Sequence, residues 1–397
     1  MVAGPIIIGA GPSGLAVAAS LSRLSIPSMI IERSNDIADL WQHHTYDRLS
    51  LHLPKQLCQL PHLPFPPHFP TYPSKNDFLH YLHSYAHHFS LKPLFNHTVV
   101  SASFDASCSL WRVIATVSEP LSASGTSESL SETLSESGDS TVLPEVVEFM
   151  SRWLVVATGE NAEPVTPEMK GREVFRGSVL HSSEYKNGIE YKDKKVLVVG
   201  CGNSGMEMCL DLCEHGAIPF LSVRTGVHVL PREILGTSTF KLAMKLMKWL
   251  PVRMVDKVLV MVAKLVIGDT EKYGLKRPQM GPLELKNLTG KTPVLDVGAL
   301  SFIKDGTIKI VPEVESLTCN GAKFVDGREL TFESVLFATG YTNNVPSWLK
   351  LCSNGWKGEN GLYFVGFTRR GLLGTRIEAD KIAFDIAGNW KNKLQHY

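Results

Sequence analysis

A chain of 397 residues is long enough for two domains with an ample core, and its 40 basic against 39 acidic residues leave a formal charge of +1. That balance provides no electrostatic footprint for nucleic acid. Seven cysteines, at 58, 108, 201, 209, 213, 319 and 352, form no CxxC pair, which removes the usual metal frameworks and the dithiol of a thioredoxin-reductase-like enzyme and fits a reducing, cytoplasmic compartment.

The N-terminus runs straight into an apolar stretch, Pro5 to Ile8, with no basic region before it, so no secretory signal is expected. Gly9-Ala10-Gly11-Pro12-Ser13-Gly14 follows and opens a helix over Leu15 to Leu24. In such a GxGxxG loop the first glycine permits the tight strand-to-helix turn. The second lets the backbone approach a pyrophosphate, and the third lets helix and strand pack closely. The phosphates then lie on N–H groups at the helix start, where the dipole favours negative charge. A strand over Ser28 to Ile31 ends in Glu32, where a carboxylate accepts hydrogen bonds from an adenosine ribose. This suits FAD or NAD and disfavours a 2′-phosphate; an ordinary surface charge is the alternative.

Trp41 to Pro73 carries Pro54, Pro61, Pro64, Pro66, Pro67 and Pro70, which exclude a long helix or central strand and predict an irregular segment held by its surroundings. Phe78 to Phe89 reads as a helix. Its His80, His83 and His87 share a face without an acidic or cysteine partner at ligand spacing, so a solvated or partly buried face is expected and no metal. Trp111 to Val117 and Val146 to Ala157 read as strands, and Ser118 to Thr141 between them as a disordered Ser-rich insertion. Ala157-Thr158-Gly159 ends the run Trp153 to Val156.

Val196 to Val199 leads into a second loop, Gly200-Cys201-Gly202-Asn203-Ser204-Gly205, and a helix over Met206 to His215 on which Cys209 and Cys213 face a core. The strand Ile218 to Val223 ends in Arg224, a cation suited to the 2′-phosphate of NADPH or, alternatively, a plain surface charge. Phe240 to Ile267 is apolar, but Lys241, Lys245, Lys248, Arg253, Lys257 and Lys264 interrupt it, so no transmembrane span is expected. Amphipathic helices broken near Pro251 are expected, packing on the protein, covering a substrate cavity or touching a membrane surface. Ser334 to Phe337 is a strand leading into Ala338-Thr339-Gly340, a repeat of the earlier Ala-Thr-Gly. Leu362 to Phe367 is a last buried strand, and Gly371 to Gly374 precedes a closing helix over Ile377 to Trp390. The expected architecture is α/β, with two Rossmann-like dinucleotide-binding domains and the NADPH domain (166–301) inserted in the FAD domain (1–165 and 302–397). Two such loops bring two dinucleotides face to face, as hydride transfer from a nicotinamide to a flavin requires.

Between the loops, Phe175-Arg176-Gly177-Ser178-Val179-Leu180-His181-Ser182-Ser183-Glu184-Tyr185 fits FxGxxxHxxx(F/Y), which resembles the identifying sequence of class B flavin-dependent monooxygenases. His181 and Tyr185 lie in an interdomain linker, where a structural role is expected. Tyr46-Asp47-Arg48-Leu49 with Leu51-His52-Leu53-Pro54-Lys55, Gly202-Asn203-Ser204-Gly205-Met206-Glu207, and Val227-His228-Val229-Leu230-Pro231-Arg232-Glu233 narrow the resemblance to the plant YUCCA flavin monooxygenases. The resemblance covers nearly the whole chain apart from the Ser-rich insertion and a short connection after Tyr341. It implies conversion of indole-3-pyruvate to the auxin indole-3-acetate with FAD, NADPH and O2, the oxidising atom being carried by the cofactor without a protein nucleophile or metal. It places Trp41 and Leu51 to Gln56 near the flavin. Lys55 is the candidate cation beside the oxygen adduct or the substrate carboxylate, with a solvated loop lysine as the alternative. An S- or N-oxygenating monooxygenase, a flavin-dependent NADPH reductase and an NADP-sensing module remain open, and oligomeric state is not readable.

Overall fold

The computed structural model describes residues 1–118, 145–349 and 355–394. In chain order, the elements that position the site are β1 (Ile6–Ile8), α1 (Pro12–Arg23), β2 (Met29–Ile31), α2 (Lys75–His88), β3 (Leu154–Val156), β4 (Ser178–His181) and β5 (Lys195–Val199). They continue with α3 (Asn203–Glu214), β6 (Ile218–Ser222), α4 (Thr239–Leu246), α5 (Val252–Ile267), α6 (Pro282–Thr289), β7 (Lys309–Val311), β8 (Ser334–Phe337), β9 (Leu362–Phe364) and α7 (Gly371–Leu394).

Two parallel sheets carry the architecture. The first has strand order β2-β1-β3-β9 and the second β7-β6-β5-β8-β4. Their central strands are apolar without alternation because both faces are covered, as with Ile6, Ile7 and Ile8, all buried. The chain leaves the first sheet after β3, builds the second, and returns with β9 and α7. Helix α7 then packs on α1, with Ser20 Oγ donating to Asp380 Oδ1 at 2.9 Å and Ser13 Oγ 3.1 Å from Thr375 Oγ1.

The halves repeat one plan. In each, a strand, a glycine loop, a helix and a second parallel strand are followed by a three-stranded antiparallel sheet (97–105, 110–117 and 145–151; 314–318, 321–324 and 329–331). The chain then re-enters the parallel sheet beside the first strand and ends on Ala-Thr-Gly, with Ala157 N donating to Ile8 O and Ala338 N to Val199 O, both at 2.9 Å.

Three expectations are corrected. β7 and β8, expected in the returning 302–397 part of the FAD domain, pair inside the second sheet, because a short apolar run does not declare which sheet it joins. The expected strand Val146 to Ala157 is two strands. It breaks at Arg152-Trp153, where Ser151 Oγ donates to Gly4 O (2.8 Å) and accepts from Trp153 N (3.1 Å). The closing helix starts at Gly371 and absorbs both early glycines; an added Cβ at Gly374 would lie 2.8 Å from Arg370 Cβ. The expected disordered insertion lies, from residue 119 onward, outside the described residues. The apolar 240–267 region is two amphipathic helices, α4 and α5, and among the described residues no helix is long and apolar enough to cross a membrane.

Segment 43–52 of the first half clasps α3 of the second. Arg48 pairs with Glu214 at 2.7 Å, and His52 Nε2 lies 2.5 Å from Glu207 Oε1. Asn187 Nδ2 donates to Asp47 Oδ2 at 2.8 Å, and Lys186 Nζ donates to His43 O. The buried Tyr46 hydroxyl contacts Ser204 and Glu207, and burial, followed by the Glu207 charge, raises its pKa. Ser204, Glu207 and Glu214 follow helical spacing, so one face of α3 bears three of the junction's contacts, with Lys186 and Asn187 adding to them from the loop after β4. His52→Ala strips the buried Glu207 carboxylate of its imidazole partner and should lower unfolding free energy by about 1–3 kcal/mol, read from urea denaturation.

Candidate functional site

A cleft of about 340 Å³ opens along the first glycine loop. Gly9, Gly11, Pro12, Ser13, Glu32 and Trp41 all line it, while Ala10 is buried behind the loop. The three glycines do different work. Gly9 has φ +106°, and a Cβ there would lie 2.7 Å from Ala157 O. A Cβ on Gly14 would lie 1.9 Å from Gly9 O, inside the backbone. A Cβ on Gly11 would meet nothing within 4 Å and would occupy the cleft itself. Gly11 caps α1 without any side-chain hydrogen bond, so the helix start is left for an anion.

Glu32 closes the loop from the next strand. Its Oε2 accepts from Ala10 N at 2.6 Å and its Oε1 from Ser34 N at 3.0 Å. Burial raises its pKa, and these backbone donors oppose the rise. Each oxygen retains a lone pair for a ribose hydroxyl. Thr158 Oγ1 and Asn344 Oδ1 are buried in the cleft wall with no partner among the described residues, as expected of a site shaped for a polar ligand. The loop geometry, the acid and the orphaned groups fit a dinucleotide.

The second loop repeats the geometry. Gly200 has φ +115° and a Cβ there would lie 2.4 Å from Ala338 O; one on Gly205 would lie 1.9 Å from Gly200 O; one on Gly202 would meet nothing within 4 Å. Gly202 caps α3 with no side-chain bond. Asn203 Oδ1 is engaged by Leu295 N at 2.9 Å, Ser204 touches the clasp, and burial pushes the Cys201 thiol up to about 12. Their backbone, rather than their side chains, is what they can offer a phosphate. Arg224, just past β6, is exposed, and Glu313 is 3.9 Å away, so its guanidinium is available to a 2′-phosphate.

Lys55 is a correction. Its ammonium donates to the carbonyls of Pro66 (3.1 Å), Pro67 (2.9 Å) and Phe69 (2.6 Å) and does not line the cleft. Two prolines and Phe69 present carbonyls without helical or sheet partners, and the lysine satisfies them. Trp41 packs edge-on against Phe78 (centroids 4.6 Å apart) and walls the cleft. His181 bridges Ser183 Oγ (3.0 Å) and Gly340 O (3.2 Å), its pKa lowered by burial, while Tyr185 is buried and donates to Asp211 Oδ2 at 2.5 Å. Both brace the second half, where all of these partners lie, rather than a linker between the halves. Sequence reasoning missed Glu160, Asn161, Asn344 and Thr375 in the cleft wall. The first Ala-Thr-Gly and the Gly371/Gly374 pair were the available signals for three of them.

Residues 4–354 match the model of the flavin-binding monooxygenase-like family. The chain belongs to that family. Within it, indole-3-pyruvate monooxygenase YUCCA8 of Oryza sativa subsp. indica is 59% identical over 409 residues, covering 99% of this chain and 92% of the relative. Probable indole-3-pyruvate monooxygenase YUCCA7 of Arabidopsis thaliana is 54% identical, covering 99% and 90%. Such identity over the full length makes this a YUCCA-family flavin monooxygenase. A flavin-containing monooxygenase from Stenotrophomonas maltophilia shares the fold, with a TM-score of 0.68 at 18% identity over 97% of this chain and 98% of that one.

The glycines separate binding from folding. Gly11→Ala should fold with wild-type secondary structure by circular dichroism yet purify without flavin. Gly14→Ala, driven into Gly9 O, should fail to accumulate as soluble protein. Full flavin content in Gly11→Ala counts against the first loop as the FAD site.

Proposed function

We propose that this chain catalyses the oxidative decarboxylation of indole-3-pyruvate to indole-3-acetate, with FAD in the first cleft, NADPH on the second loop, and O2 as oxidant. The carrying observation is the pair of middle glycines, Gly11 and Gly202, each facing open space at the start of a helix. The activity for which the YUCCA relatives are named supplies the substrate. NADPH, O2, a proton and indole-3-pyruvate give NADP⁺, water, CO2 and indole-3-acetate; one oxygen atom enters the new carboxylate and the other leaves in water.

FAD, when bound, supplies what no side chain here offers, acceptance of a hydride and activation of O2. The chain's own residues bind, orient and shield. The N-terminal turns of α1 and α3 seat the two pyrophosphates, and Glu32 accepts from the adenosine ribose. Arg224 takes the 2′-phosphate, which selects NADPH over NADH. The clasp from segment 43–52 fixes α3, and so the second loop, against the first half. Trp41, on Phe78, keeps water from that wall of the cleft. The thiols without disulfide partners among the described residues accord with a cytoplasmic location.

The test is a product assay. Anaerobic NADPH should bleach the flavin band near about 450 nm, and air with indole-3-pyruvate should then yield one indole-3-acetate per NADPH. Hydrogen peroxide as the sole product would count against the reading. Arg224→Ala removes a charge-assisted contact worth about 1.5–3 kcal/mol. It should cut the NADPH-over-NADH ratio of kcat/KM by about tenfold or more, with flavin content unchanged.

A further inference from the structure

Two cations at the seam between the halves have no assigned partner. Lys286, on α6, is half-buried and packs over the Phe240 ring, 5.2 Å from its centroid. Arg369 precedes α7, and its guanidinium lies against Gly290, the C-cap of α6, whose N–H donates to Lys286 O at 2.9 Å. Among the described residues neither side chain enters an ion pair within 4.0 Å. The carboxylate shared by their surroundings is Glu160. It lines the first cleft and accepts from the Arg369 backbone N–H at 2.5 Å, leaving the guanidinium uncommitted. Glu160 is also within Coulomb range of Lys286, so two cations face one carboxylate.

The surroundings point to a ligand. Arg369 has φ +58°, a left-handed conformation unfavourable for a non-glycine residue, and such strain persists where the backbone is over-determined around it. Its position is fixed by Glu160 on one side and by the start of α7 on the other. Gly371 and Leu372, the first residues of α7, line the same cleft as Glu160, so Arg369 stands two residues from the cleft lining. Burial lowers the Lys286 pKa, the sign of a cation stripped of water without a contact anion in exchange. Phe240 beneath it holds the ammonium over its ring face, which fixes where the charge stands.

We infer that Lys286 and Arg369 seat the carboxylate of an aryl α-keto acid at the rim of the flavin cleft. This rests on the activity proposed above and names the residues that recognise its substrate class. Lys286 and Arg369 come from opposite halves, so the carboxylate is held only when the halves are joined.

The test uses the flavin-loaded protein. Equilibrium dialysis measures binding of indole-3-acetate and of its methyl ester to wild type, Lys286→Met, Lys286→Arg and Arg369→Gln. Lys286→Met should weaken the acid by at least about tenfold and leave the ester within about twofold. Lys286→Arg should retain most acid binding. Anaerobic bleaching by NADPH should proceed at the wild-type rate in all. Turnover should show the loss of Lys286→Met in KM for indole-3-pyruvate. Equal loss of acid and ester, an unchanged acid affinity, or no acid binding by wild type would each overturn the seat. Wild type that binds the acid through Lys286 but forms no indole-3-acetate would overturn the proposed activity and leave the seat standing. Normal turnover with unchanged KM in Lys286→Met would do the reverse.

Discussion

The structure depends on backbone lying against backbone without side chains between. In each half the third glycine of the loop sits on the carbonyl of the first, where an added Cβ would be 1.9 Å from the oxygen. The first glycine in turn lies under the carbonyl of the Ala in Ala-Thr-Gly, Ala157 in one half and Ala338 in the other. These two contacts draw helix, loop and two strand ends together tightly enough that the helix N-terminus opens onto the cleft. The middle glycine then leaves the opening clear. The Ala-Thr-Gly repeat thus closes each loop within its own half.

What was legible in the sequence was what is locally dictated. A glycine whose Cβ would collide with backbone leaves one permissible residue type, so both loops and their helices were placed within a few residues. The acid and the base at the ends of the next strands followed from the same spacing. What was not legible depended on partners far along the chain. β7 and β8 join the second sheet by pairing that no local pattern declares. Lys55 looked like a free loop cation because its three carbonyl partners are defined only by how the proline-rich segment folds back. Glu160 and Asn344 carry no motif and enter the cleft wall through the topology alone.

The second constraint is the clasp on α3. One helix start carries the pyrophosphate loop, and one face of the same helix bears Ser204, Glu207 and Glu214 against segment 43–52. Any rotation of one half against the other therefore moves the second loop as a rigid unit with its helix and breaks buried polar contacts. The fold is shared at 18% identity with a flavin-containing monooxygenase of Stenotrophomonas maltophilia, so the sheets persist where most side chains differ.

The thiols take on a different meaning in a catalyst that handles oxygen. Burial pushes Cys58, Cys201 and Cys213 up to about 12 and raises Cys209 as well. At neutral pH only about one in 10⁵ of a thiol with that pKa is thiolate, the form that reacts with peroxide. Cys201, inside the second loop itself, would otherwise be the first casualty of any oxidant escaping from the cofactors. The interior packing that stabilises α3 therefore also keeps its thiols protonated, and among the described residues leaves Cys108 and Cys319 as the exposed thiols, both away from the nucleotide loops.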